Sequence, residues 1–163
     1  MIQVPLLNYT TKIKVEKTIA EIEIMLFQAG AEKILKDYDG SGVISISFVI
    51  NTDAGKMPVR LPMNSRAVMQ VINDQTEQYI GVGYKKRRVV PRNYYNDMEQ
   101  ARRVGWRIIK DWLESQLALI FLRMVKVQEI FLPYIVGIDG KTLYETIENK
   151  GFQGYLLEDH TET

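Results

Sequence analysis

Lys85-Lys86-Arg87-Arg88 sets four cations side by side, directly after Tyr84 and ahead of Arg92, Tyr94 and Tyr95. The chemistry this pattern offers is neutralisation of a polyanion. Adjacent cations can track a phosphate backbone and release its condensed counterions. Tyrosine rings interleaved with them can stack on unpaired bases, which favours single strands. Between Tyr84 and Arg107 eight basic residues face only Asp97 and Glu99, a balance of +6 within a chain of net charge +1. The rest of the chain is therefore slightly acidic. Such asymmetry marks a polyanion-binding surface, and nucleic acid is the commonest polyanion partner. Arg102, Arg103 and Arg107 follow at helical spacing and would extend the patch onto a rigid element. Two other readings stay open. The basic run can meet an acidic protein surface, or it can be a solvated loop whose charges pair with acids elsewhere. For Arg103 the pairing candidate is Glu99, one helical turn earlier.

Other chemistries find little to work with. The chain has no cysteine, which excludes disulfides, thiolate metal sites and cysteine nucleophiles. His160 is its only histidine and lies in the C-terminal tail, so no histidine triad or multi-histidine metal site can be built within one chain. Gly81-Val82-Gly83 lacks the third glycine of a dinucleotide fingerprint, and no Walker lysine pattern is present. Asp37, Asp39 and Asp53 fall at turns; Asp37 to Gly42 has a passing likeness to the start of a calcium loop, but strands follow it. Glu145 and Glu148 share a helix face without partner carboxylates. The reading is a non-enzymatic protein with no cofactor and no metal.

The elements that must position the basic run are legible in outline. Thr18 and Glu21 form a capping box that starts a helix over Ile19 to Ala29, closed by Gly30. A three-stranded antiparallel meander follows. Ala31 to Tyr38 is ambiguous on propensity, and Asp39 to Gly42 is a turn. Val43 to Ile50 alternates, with Ile44, Ile46, Phe48 and Ile50 on one face. Met57 to Leu61 returns, and Pro58 means that this strand lies at a sheet edge or begins irregularly. Asn64 caps a short helix, Ser65 to Asn73, with Ala67, Val68, Val71 and Ile72 inward. Residues 74 to 95 hold no sustained period and read as a long flexible basic loop, with a short strand available at Gln78 to Val82. Asn96 and Glu99 form a second capping box. It opens a helix that runs to about Met124 with an unusually wide apolar arc, so this is either the central helix or a homodimer interface. Trp112 falls in the arc and reads as core; Trp106 can sit near its edge as a stacking platform, but core packing is the favoured reading. Thr142 caps a last helix ending near Lys150. Phe152, Tyr155, Leu156 and Leu157 can dock the tail, and 158 to 163 are expected to fray.

The fold class is therefore α+β in a single domain over 1 to 163, with the helices on one face of the sheet. The apolar stretch Leu117 to Val136 is broken by Arg123, Lys126, Gln128 and Glu129, so no membrane span is expected. The N-terminal run lacks the order of a secretory leader. The segment ARRVGWRIIKDWLESQLALI, with FLPYIV and GKTLYE after it, resembles small uncharacterised proteins of phages and phage-like contigs, and the likeness runs from Thr18 to Leu156. No activity is attached to that group. The resemblance implies an origin, a microbial host cytoplasm, and action on viral or host nucleic acid or on a host defence factor.

Overall fold

The structure, a computed structural model, describes residues 4–152. His160, Tyr155, Leu156, Leu157 and the expected fraying of 158 to 163 lie outside the described residues. The order is α1 (Val15–Gln28), β1 (Ala31–Asp39), β2 (Gly42–Thr52), β3 (Gly55–Arg60), α2 (Ser65–Glu77), β4 (Tyr79–Ile80), β5 (Arg87–Arg88), α3 (Met98–Phe121), α4 (Val127–Phe131) and α5 (Leu143–Lys150). It is an α+β fold. The first three strands form one antiparallel sheet in the order β1-β2-β3, and β4 and β5 pair in a second, separate ladder.

The main core is built where the sheet's inner face meets α1, α3 and α4. Ile46, Phe48 and Ile50 of β2 and Met57 and Val59 of β3 are buried against Ile19, Ile22 and Leu26 of α1, Trp106 and Leu113 of α3, and Phe131 of α4. Alternating burial along β2 follows from its pleat: even-numbered residues go inward from Ile46 onward. The alternation fails before that. Asp37 pairs with Ser45 but Tyr38 pairs with Val43, so Ile44 is an extra residue in a bulge. Ile44 is turned to solvent and Val43 packs on the core, the reverse of the sequence expectation. β3 is an edge strand, as Pro58 suggested. The Pro58 carbonyl accepts from the Val136 amide at 2.9 Å, so its missing N–H lies on the outer side.

The helix starts were partly misplaced by sequence reading. α1 begins at Val15, with Lys14 at its N-cap and no side-chain cap. Thr18 is inside the helix and fully buried. Its hydroxyl accepts from Arg107 at 3.4 Å, and Glu21 also faces Arg107 rather than closing a capping box. α3 is capped by Asp97, whose carboxylate accepts from the Gln100 amide at 2.9 Å; Asn96 sits before it at φ 56°. The cap of α2 by Asn64 is as expected, but Ala67 and Val71 are exposed and the helix continues to Glu77. Its inward residues are Val68, Ile72 and Thr76.

The wide apolar arc of α3 is explained by its neighbours: α2 covers one flank, while α1 and the sheet cover another. Only its end is left bare, where Phe121, Leu122 and Met124 are exposed. Trp106 is fully buried and donates from Nε1 to the Val43 carbonyl at 3.3 Å, whereas Trp112 is half-buried. Core packing of Trp106, the favoured reading, therefore holds, and the ring is not a stacking platform at the helix edge. No helix among the described residues is long and apolar enough to cross a membrane.

Candidate nucleic-acid interface

A second, smaller cluster roots the basic segment. Val89 and Val90, directly after the four cations, are buried with Ile72 of α2 and Val104 of α3. The Val89 amide donates to the Gln78 carbonyl and the Val90 amide to the Gln75 carbonyl, at 2.9 and 3.2 Å. Residues 74 to 95 are thus not a structureless loop. They contain the end of α2, the β4–β5 hairpin and the buried valine pair.

In the hairpin Tyr79 stands opposite Arg88, and Ile80 opposite Arg87. The tip folds through a single tight turn over Gly83–Lys85. Gly81 makes this turn possible. Its φ is 94°, and a Cβ there would stand 2.6 Å from the Lys85 carbonyl oxygen. Only glycine fits both the angle and the space.

The tip presents Val82, Tyr84, Lys85, Lys86 and Arg87 to solvent, with Tyr84 96% exposed. Among the described residues no carboxylate lies within ion-pair reach of Lys85, Lys86 or Arg87. Sequence reasoning passed over Tyr79. Its ring is flanked by two cations, Lys86 Nζ at 4.9 Å and the Arg88 guanidinium carbon at 4.9 Å from the ring centre. The Arg–Tyr spacing that signals it is visible only once the two strands are paired.

Arg88 and Arg92 turn back toward the body. Arg88 donates to the Thr76 carbonyl at 2.5 Å and lies 3.7 Å from Glu77. Arg92 pairs with the same carboxylate and covers the Tyr95 ring, 4.2 Å from its centre. Tyr94 is half-buried in the second cluster, edge-on to Tyr9 at 5.3 Å. Of the three tyrosines expected to stack on bases, Tyr84 is the most exposed, with Lys85 Nζ over its ring at 6.0 Å from the centre.

The helix arginines do not join the tip as free cations. Arg102 reaches the turn between β1 and β2, its two terminal nitrogens 3.3 and 3.0 Å from the Asp39 carboxylate. That contact and the Ser41 amide and hydroxyl hold Asp39 well below the usual carboxylate range. Arg103 pairs with Glu99 on its own helix, and also donates to Gln100 Oε1 at 3.3 Å. Arg107 meets Glu21 at 2.5 Å. Arg102 and Arg107 side chains are mostly buried. Each of the three is matched to an acid, so the unmatched charge of the basic segment is concentrated on the hairpin.

The acids singled out in the sequence for metal chemistry also have structural partners. Asp37 accepts from the Ser45 hydroxyl, Gln128 donates to Asp53 at 2.8 Å, and Glu145 closes the α5 capping box with Thr142. Among the described residues no group of three acidic or histidine side chains is placed to hold a metal ion. Compared with known proteins, the chain matches no family model, no curated protein and no solved structure.

Proposed function

We propose that this chain is a non-enzymatic nucleic-acid-binding protein of a phage or mobile element, meeting an unpaired strand through the β4–β5 hairpin. One observation carries the reading: Tyr84, Lys85, Lys86 and Arg87 are exposed at a built turn with no acid in reach among the described residues, while the arginines of α3 are each matched. Cations left unpaired on a slightly acidic body attract phosphates without first giving up an internal partner. A projecting ring beside them offers a stacking face that suits any unpaired base. Arg88 and Arg92 support the hairpin's root and contribute the charge that Glu77 leaves uncompensated. Arg102 and Arg103 hold the scaffold.

The test is a salt-titrated binding assay with single- and double-stranded DNA and RNA, comparing wild type with a variant carrying serine at 85, 86 and 87. Binding that falls steeply with salt and collapses in the variant supports the reading. Undetectable binding at low salt defeats it. A second reading has its own observation: Val82 is 88% exposed beside Tyr84, so the tip is apolar as well as basic. Such a mixture also fits an acidic protein surface with an apolar recess, as an inhibitor or accessory subunit would use. A partner captured from host lysate after nuclease treatment, and lost with the serine variant, favours that reading.

A further inference from the structure

The outer edge of β1 is unpaired: among the described residues no strand or isolated bridge is hydrogen-bonded to it. Free edges are docking templates unless something blunts them. Here bulges interrupt both ends. The β1–β2 register shifts between Ala31 and Lys33 and again between Asp37 and Tyr38, leaving a regular ladder from Lys33 to Asp37. Leu35 is at its centre and is 65% exposed on the face away from the helices. Lys33 and Asp37 flank it on the same face, both exposed.

From this pattern we infer that β1 pairs with β1 of a second copy, antiparallel about a two-fold axis at Leu35. The surface is self-complementary in that register. Lys33 falls opposite the partner's Asp37, Asp37 opposite the partner's Lys33, and Leu35 opposite the partner's Leu35. A two-fold makes each contact twice, and opposite charges directly across a ladder are favourable where like charges are not. Asp37 keeps one carboxylate oxygen for this pairing, since the Ser45 hydroxyl donates to the other, whereas neighbouring registers call on residues already ion-paired or alike in charge. Centring on Ile34 sets Glu32 against Lys36, but Lys56 holds Glu32 at 2.8 Å and Glu23 holds Lys36 at 2.5 Å. Centring on Lys36 sets two lysines face to face. Joining the edges makes one continuous sheet from two, removes the exposed edge, and places two basic hairpins on one particle. The inference does not depend on what the hairpin binds.

Light scattering after size-exclusion, over a wide concentration range, reads the assembly. Wild type is expected as a dimer. Lys33→Asp and Asp37→Lys should each weaken it by about tenfold or more, because two cross-strand pairs invert together. Mixing those two variants is the decisive arm. One then carries only acids at 33 and 37 and the other only lysines, so the mixture should dimerise as a heterodimer while neither does alone. Recovery on mixing also shows that both variants are folded. A wild type that stays monomeric overturns the inference. So does a dimer that both charge variants retain, or one lost only on Phe121→Ser, which would place the contact at the bare end of α3.

Discussion

Arg102 of α3 holds Asp39 at the β1–β2 turn through both terminal nitrogens, at 3.3 and 3.0 Å, across 63 positions of sequence. The residue that would have been the first phosphate contact on the helix instead fastens the sheet's turn to it. The pair also sets a pH dependence. Asp39 has its folded-state pKa held below the usual carboxylate range, first by Arg102 and then by Ser41. A carboxylate with a depressed folded value binds more protons unfolded than folded, so its stabilisation is present above the unfolded value and lost as pH falls below it. Denaturant unfolding of wild type should therefore weaken from about pH 4, the ordinary carboxylate value, downward. Asp39→Asn should be less stable than wild type at neutral pH, and the gap should close on acidification.

The hairpin cations should account for most of the salt dependence. For single strands the slope of log affinity against log salt is about 0.7 per neutralised phosphate, so serine at 85, 86 and 87 should flatten it by about 2. Arg103→Ala should leave the slope unchanged, because Glu99 already occupies that guanidinium. Fluorescence anisotropy across a salt series distinguishes the two variants.

Tyr84→Ala should weaken single-strand binding by about 1–3 kcal/mol, the worth of one base stacked on one ring. The melting temperature should not move, since the ring is almost wholly exposed. Loss of stability together with affinity would show that the ring packs on the fold.

Gly81→Ala should disrupt the tip without touching the core. The positive φ alone costs about 1–2 kcal/mol for a residue with a Cβ, and the Lys85 backbone oxygen stands in the way as well. Amide hydrogen exchange should quicken at Lys85 and Lys86, the two amides that close the turn, while protection in β2 and α3 holds.

Trp106→Ala should cost about 3–5 kcal/mol, as for other large aromatic truncations in cores. It empties a fully buried site and leaves the Val43 carbonyl without its indole donor. Denaturant unfolding followed by circular dichroism measures it.

The sheet, the long helix and the caps at Asn64 and Thr142 were readable because period and turn chemistry are local signals. What failed depended on partners distant in sequence. Ile44 was assigned inward by alternation, but a bulge is set by how β1 pairs with β2, not by β2 alone. Thr18 and Glu21 match a capping box, yet both are engaged by Arg107, 89 and 86 positions away. The basic run was visible as charge. That its lysines and Arg87 meet no acid among the described residues while Arg102, Arg103 and Arg107 are neutralised is a tertiary fact, as is the clasp of Tyr79 between Lys86 and Arg88.

Burial of Val89 and Val90 immediately behind the four cations has a kinetic meaning. A prong whose base is set into the packing of two helices has little reorganisation left to undergo at encounter. Association should proceed in a single concentration-dependent phase, without the slow second step of a segment that folds onto its target. Discrimination among targets would then reside in how long each stays bound.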